Sequence, residues 1–133
     1  NLITDHAKLL EIYRAVDNLP GIKKSFIGSG VRYDLVLHKS KDERSNANAI
    51  TYARELISKH VSGRLKVAPE NTSNKVLKFM RKPSFKLFYE FKRLFDKINQ
   101  EEGLKQQIIP TLLAVILVVK RKIWPNWQLL QRT

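Results

Sequence analysis

Three short apolar words set the terms for this chain: Ser25-Phe26-Ile27-Gly28, Leu65-Lys66-Val67-Ala68 and Gln107-Ile108-Ile109. Each reads as a strand, the first as a short buried one, and long helical patterns separate them. Strands this far apart in sequence cannot be joined by hairpins. They pair in parallel, through right-handed crossovers. The predicted fold class is therefore α/β. Three strands alone make a poor sheet, so the pattern predicts a slice of a larger α/β sheet or barrel.

The helices follow from apolar spacing. Thr4 or Asp5 caps a first helix, with Leu9, Ile12, Tyr13 and Val16 at helical intervals and Pro20-Gly21 as its stop. A polar stretch from Lys39 to Asn48 leads into a second helix over 49–60, with Ile50, Ala53, Leu56 and Ile57 on one face and Gly63 beyond its end. Ser73 or Asn74 starts a third helix that runs through Met80 and is interrupted by Pro83. A fourth spans 85–99 and stops at Gly103; its Phe88, Phe91 and Phe95 are core packing, not ligand groups.

Composition narrows the function classes. The 133 residues allow one domain or part of one, and 43% hydrophobic content is ordinary for a folding chain. No cysteine is present, so this polypeptide supplies no disulfide, no thiolate metal ligand and no cysteine nucleophile. His6, His38 and His60 have no ligand-spaced partners, so no metal site is expected. There is no G-x-S-x-G elbow and no P-loop Lys-Ser/Thr pair. A net charge of +13 is high for this size. Residues 1–109 hold 21 of the 25 Lys/Arg and all 12 Asp/Glu, whereas 110–133 hold basic residues and both tryptophans but no acid.

In parallel α/β architectures, chemistry gathers at the carboxyl ends of strands, where loops converge. Two such ends stand out here. Gly28-Ser29-Gly30-Val31-Arg32-Tyr33-Asp34 follows the first strand: small residues admit a ligand close to the backbone, and Arg32 offers a planar fork for carboxylate or phosphate. Ala68-Pro69-Glu70-Asn71-Thr72 closes the second, where Glu70 can accept from an ammonium group or a sugar hydroxyl. An Arg–Asp pair at a strand end is also often just a local ion pair.

Longer words carry a resemblance. Leu19-Pro20-Gly21-Ile22-Lys23-Lys24, Ile27-Gly28-Ser29-Gly30-Val31-Arg32-Tyr33-Asp34-Leu35, Leu65 through Thr72, Val76 through Pro83 and Gln107-Ile108-Ile109-Pro110, in this order, closely resemble the YgiQ-type branch of the radical S-adenosylmethionine (radical SAM) enzymes. The opening Asn1-Leu2 and Thr4-Asp5-His6 fits as well; in that family it follows a cysteine-bearing segment.

The resemblance implies a fragment of a partial (β/α) barrel over residues 1–110, contributing middle strands with their crossover helices. In the family, a CxxxCxxC loop binds a [4Fe–4S] cluster that chelates S-adenosylmethionine; an electron donor drives its cleavage to a 5′-deoxyadenosyl radical, which takes hydrogen from a substrate. By motif position, Ser29 and Arg32 face the cofactor, Glu70 lies near its ribose or amino-acid end, and Lys82 points toward its carboxylate. The parent would be an enzyme of unassigned substrate, and cytoplasmic. The cluster cysteines are missing from this chain, so it is expected to be inactive alone.

Beyond Pro110 the resemblance stops. Where the family continues with Tyr-Phe-Ile-Ser-Ser-His-Pro-Gly, this chain has Thr111-Leu112-Leu113-Ala114-Val115-Ile116. Synonymous codons exist for residues 110–131 such that one restored base after the proline codon yields Tyr-Phe-Ile-Gly-Ser-His-Pro-Gly and an acidic helix start. Residues 111–133 are thus read as a frameshifted tail outside the native domain. The competing reading is a small basic module whose Lys120-Arg121-Lys122, Trp124 and Trp127 touch nucleic acid or a membrane surface. No RNA- or DNA-binding motif supports a nucleic-acid partner, and neither partner is favoured. The longest apolar run, Leu112 to Val119, is shorter than the about 20 residues a spanning helix needs.

Overall fold

A computed structural model describes residues 5–113. Seven elements follow in order: α1 (Ala7–Asp17), α2 (Tyr33–Val36), α3 (Glu43–Lys59), β1 (Arg64–Glu70), α4 (Asn74–Phe79), α5 (Lys86–Glu101) and β2 (Gln107–Leu112). The expected tail lies almost wholly outside the described residues.

β1 and β2 pair in parallel, Leu65 opposite Ile108 and Lys66 opposite Ile109, with an irregularity before Glu70 meets Leu112. The α4–α5 crossover joins them, as the spacing requires. Pro110, which lacks an N–H, sits on β2, where among the described residues only one flank is paired. Gly63 (φ +99) and Gly103 (φ +65) make the left-handed turns into the two strands. Gly63 also accepts from the Gln107 amide at 2.8 Å, which sets the register at the start of the ladder.

The first predicted strand is not one. Residues 25–31 run extended beside β1, but they touch it only through Val31, whose N–H donates to Lys66 O at 3.0 Å in one parallel bridge to Val67; Ile27 N–H donates instead to His60 O at 2.9 Å, at the end of α3. Phe26 is exposed. The Gly28-Ser29-Gly30 word between the two contacts has little side chain to pack, so a continuous ladder is not stabilised there. The segment lies beside β1 without forming a strand.

The second predicted helix starts earlier. Asp42 caps α3, accepting from the backbone N–H groups of Arg44 and Ser45, each at 3.2 Å, and from the Ser45 hydroxyl at 2.6 Å. Half of the presumed polar loop is therefore helix, its polar side chains tolerated on the solvent side. The buried stripe is Ala49, Tyr52, Ala53, Leu56 and Ile57; Ile50, expected within it, is 60% exposed, although it shares a helical face with Ala53 and Ile57. α2 is a single turn that the sequence reading treated as loop. On α1, the cap residue is His6, and the Asp5 carboxylate accepts from the Ala7 amide at 3.0 Å.

One core gathers every helix against one face of the sheet. Leu65, Val67 and Pro69 of β1 point into it, among Leu10, Leu56, Ile57, Leu77, Phe91, Phe95 and Ile98. The alternate residues Arg64, Lys66 and Ala68 stand exposed on the other face. A parallel sheet is ordinarily covered on both faces. Among the described residues, this one is covered on one only. No helix among them is long and apolar enough to cross a membrane.

Candidate functional site

The core delivers Tyr33 to the carboxyl end of β1. Tyr33 opens α2, is buried, and packs its ring on Phe91 (centroids 5.6 Å) and edge-on to Phe88 (6.3 Å) of α5. Burial pushes its phenol pKa up, and the negative charges of Asp34 and Glu70 add to that.

Each carboxylate has a cation of its own. Arg32 donates to both oxygens of Asp34, at 2.8 and 2.6 Å, and this holds the Asp34 carboxyl below its usual range. The local ion pair anticipated for this strand end is what forms. Glu70, at the end of β1 with φ +69, lies 3.3 Å from the Lys82 ammonium. Lys82 is brought there by the turn that ends α4, in which its amide donates to Leu77 O at 2.9 Å. Glu70 O accepts from the Leu113 amide at 2.7 Å, so its backbone also anchors the end of β2. The site residues named from motif position therefore fall into two groups. Glu70 and Lys82 form a pair, whereas Ser29 and Arg32 lie on the exposed loop before α2.

Ser29 and Arg32 line a cleft of about 170 Å³ together with His6, Tyr13 and Tyr52; Glu70 and Lys82 are not on its walls. The His6 ring stacks on Tyr52 at 4.6 Å, and Tyr13 lies 6.3 Å from the same ring. His6 stands at the N-terminal cap position of α1, as its place near a helix start suggests, and its ring also forms part of the wall; burial holds its pKa down, and its Nδ1 has no hydrogen-bond partner among the described residues. Burial pushes the Tyr52 hydroxyl up, with the Tyr13 hydroxyl beside it contributing. The signal for this wall was present in the sequence: His6, Leu9 and Tyr13 share one helical face.

His60, read as an isolated histidine, is buried in a cluster. Its Nδ1 lies 3.1 Å from Ser25 Oγ and 3.0 Å from Ser25 O, while Ser25 Oγ donates to Asp17 Oδ1 at 2.5 Å. The residue types are those of a catalytic triad, but the order is wrong. The serine stands between the acid and the imidazole, and His60 is 1% exposed, out of substrate reach. The cluster ties residues 25–27 to the ends of α1 and α3.

As to a cofactor, the chain has no cysteine to ligate an iron–sulfur cluster, and no group of three or more His, Asp or Glu able to hold a metal occurs among the described residues. The chemistry of the Glu70–Lys82 pair suits the ammonium and carboxylate of a small zwitterion, and Arg32, in its own pair with Asp34, offers a carboxylate-binding fork at the separate cleft. At Gly28 even an added Cβ would meet nothing within 4 Å, which leaves the backbone open to a ligand.

No family model and no solved structure matches the chain. Curated relatives do match. A UPF0313 protein of Bacteroides thetaiotaomicron is 64% identical over 114 residues, which is 86% of this chain and 18% of the relative. A UPF0313 protein of Porphyromonas gingivalis is 54% identical over the same number of residues. One from Clostridium perfringens is 47% identical, and there the match covers 16% of the relative. The chain thus spans less than a fifth of the length of these relatives. UPF0313 is the YgiQ family, so over most of its length this chain is homologous to a short stretch of YgiQ-type proteins.

Proposed function

We propose that residues 5–110 are a segment of a radical SAM enzyme, contributing cofactor-facing strand ends of a partial (β/α) barrel. The observation that carries this reading is the Glu70–Lys82 pair at the carboxyl end of a strand in a parallel sheet whose helices all lie on one face. An uncovered inner face is what a piece of barrel presents when its remaining strands are elsewhere. The similarity to YgiQ-type proteins over a short stretch supports the same assignment.

When bound, S-adenosylmethionine supplies the alkyl group that is released as a radical. The residues here bind and orient it. Glu70 would accept from the ammonium or the ribose and Lys82 beside it would take the carboxylate, while Ser29 and Arg32, on the loop lining the separate cleft, would face the ligand where the flanking glycines leave the backbone open. Both cations already hold partners, Asp34 and Glu70, before a ligand arrives. The iron–sulfur cluster has no ligands in this chain, and no step is assigned through it.

The test is titration calorimetry of S-adenosylmethionine against the Bacteroides thetaiotaomicron UPF0313 protein carrying this segment in place of its own. Arg32→Ala and Glu70→Gln are each expected to weaken binding about ten-fold, the loss of one charged hydrogen-bonding partner. Unchanged affinity in both variants would overturn the assignment.

A further inference from the structure

Residues 71–89 contain five basic side chains and no acid. Among the described residues Lys82 pairs with Glu70 and Lys86 with Glu90, while Lys75, Lys78 and Arg81 form no ion pair. Lys75, Lys78 and Phe79 share one face of α4 by helical spacing, and Arg81 follows in the turn. Phe79 is 75% exposed, more than any other large hydrophobic side chain among the described residues. An exposed ring with unpaired cations on the same helix face offers a stacking surface flanked by positive charge.

Arg81 adds a second sign. α4 ends in a Schellman turn, with Lys82 N–H on Leu77 O at 2.9 Å and Arg81 N–H on Lys78 O at 3.2 Å. The residue at the left-handed position of such a turn is usually glycine. Here it is Arg81, at φ +53. A cation is kept where a residue without a side chain would be less strained, which points to a use for the charge.

We propose that this patch binds single-stranded nucleic acid, a base stacking on Phe79 while Lys75, Lys78 and Arg81 hold the flanking phosphates. A flat ring ringed by cations is the arrangement by which unpaired strands are held without sequence readout. A membrane surface fits less well. α4 has six residues and buries Leu77 on its inner side, so it offers one apolar side chain outward rather than an amphipathic face. The patch uses none of Ser29, Arg32 or Glu70, so it stands or falls separately from the cofactor reading.

The test is fluorescence anisotropy of a labelled twelve-nucleotide oligouridylate with the full chain, repeated over a salt series. Wild type is expected to bind with a logarithmic salt slope of about −2, from three phosphate contacts on a single strand. Phe79→Ala should weaken binding by about ten-fold or more with the slope unchanged, and Phe79→Trp should restore it. Arg81→Gly should make the slope shallower by about 0.7. Because it relieves the turn, that variant should melt no lower than wild type, so a loss of binding cannot be ascribed to unfolding. Binding that survives both Phe79→Ala and Arg81→Gly belongs elsewhere in the chain and overturns the proposal. So does an absence of binding at low salt, or capture by anionic phosphatidylserine vesicles with the same dependence on Phe79.

Discussion

The Lys82 ammonium stands 3.3 Å from the Glu70 carboxylate, linking the turn after α4 to the last residue of β1. The two residues are brought together because β1 must leave the sheet through a tight turn and α4 must return its Leu77 to the core. The pair is therefore a consequence of the crossover, placed where a ligand at the sheet edge would meet both charges.

Its contribution to stability is small. The Lys82 side chain is 39% exposed, and a pair of that exposure is worth no more than about 1 kcal/mol. Glu70→Gln is expected to move the urea midpoint of the isolated chain only slightly. A loss of several kcal/mol would mean that Glu70 is a folding residue rather than a site residue.

The core should be far less tolerant. Phe91 is fully buried between β1 and Tyr33, and Phe91→Ala is expected to cost about 3–5 kcal/mol, enough to unfold a marginal domain. Leu56→Ala should cost about 2–5 kcal/mol, whereas Ile50→Ala, six residues earlier on the same helix, should change stability by less than about 0.5 kcal/mol. Denaturant titrations of the three variants check the phase of α3. An Ile50 effect equal to that of Leu56 would contradict it.

Acid should loosen the junction of α1 and α3. Arg14 donates to both Glu55 oxygens, at 3.0 and 2.7 Å, and holds this carboxyl below the ordinary 4.5 despite its burial. A carboxyl whose folded pKa is lowered stabilises the fold above its unfolded value, and that contribution is lost as the pH falls through the folded one. The urea midpoint is expected to drop as the pH is taken from about 5 toward 3, with Glu55→Gln showing a flatter limb. Parallel profiles for the two proteins would show that the pair contributes nothing.

The Asp17–Ser25–His60 cluster is expected to be structural. Ser25→Ala removes the hydroxyl that donates to Asp17 and should cost about 1 kcal/mol. His60→Ala opens a cavity beside the Ser25 carbonyl and should cost more, with faster amide exchange at Ile27 and Val31, the two points that hold the extended segment to its neighbours. Exchange at those amides unaffected by His60→Ala would show that the segment is held by other means.

Much was legible in the residues. Apolar periodicity placed the four longer helices and two parallel strands, because it reports which side of an element is wet, while capping signals missed where α1 and α3 start. The Arg32–Asp34 pair was legible too, because its partners are two residues apart. Less local features were not. Ile50 looked like core from its spacing to Ala53 and Ile57, and its exposure depends on which part of that helix face other elements cover. His6 and Tyr52 gave no joint signal across the 46 residues that separate them, since their stacking exists only once α1 lies on α3.

The sequence by itself determined the α/β alternation, the parallel sense of β1 and β2, and the kinship to YgiQ-type proteins, since each resides in local pattern or in words of residues. Only the tertiary structure decided that residues 25–31 lie beside β1 without joining it. It also split the site residues between a cleft and an ion pair, and placed all helices on one face of the sheet. Those outcomes depend on which side chains meet after long loops close, and that is a property of packing in three dimensions, which no single stretch of sequence carries.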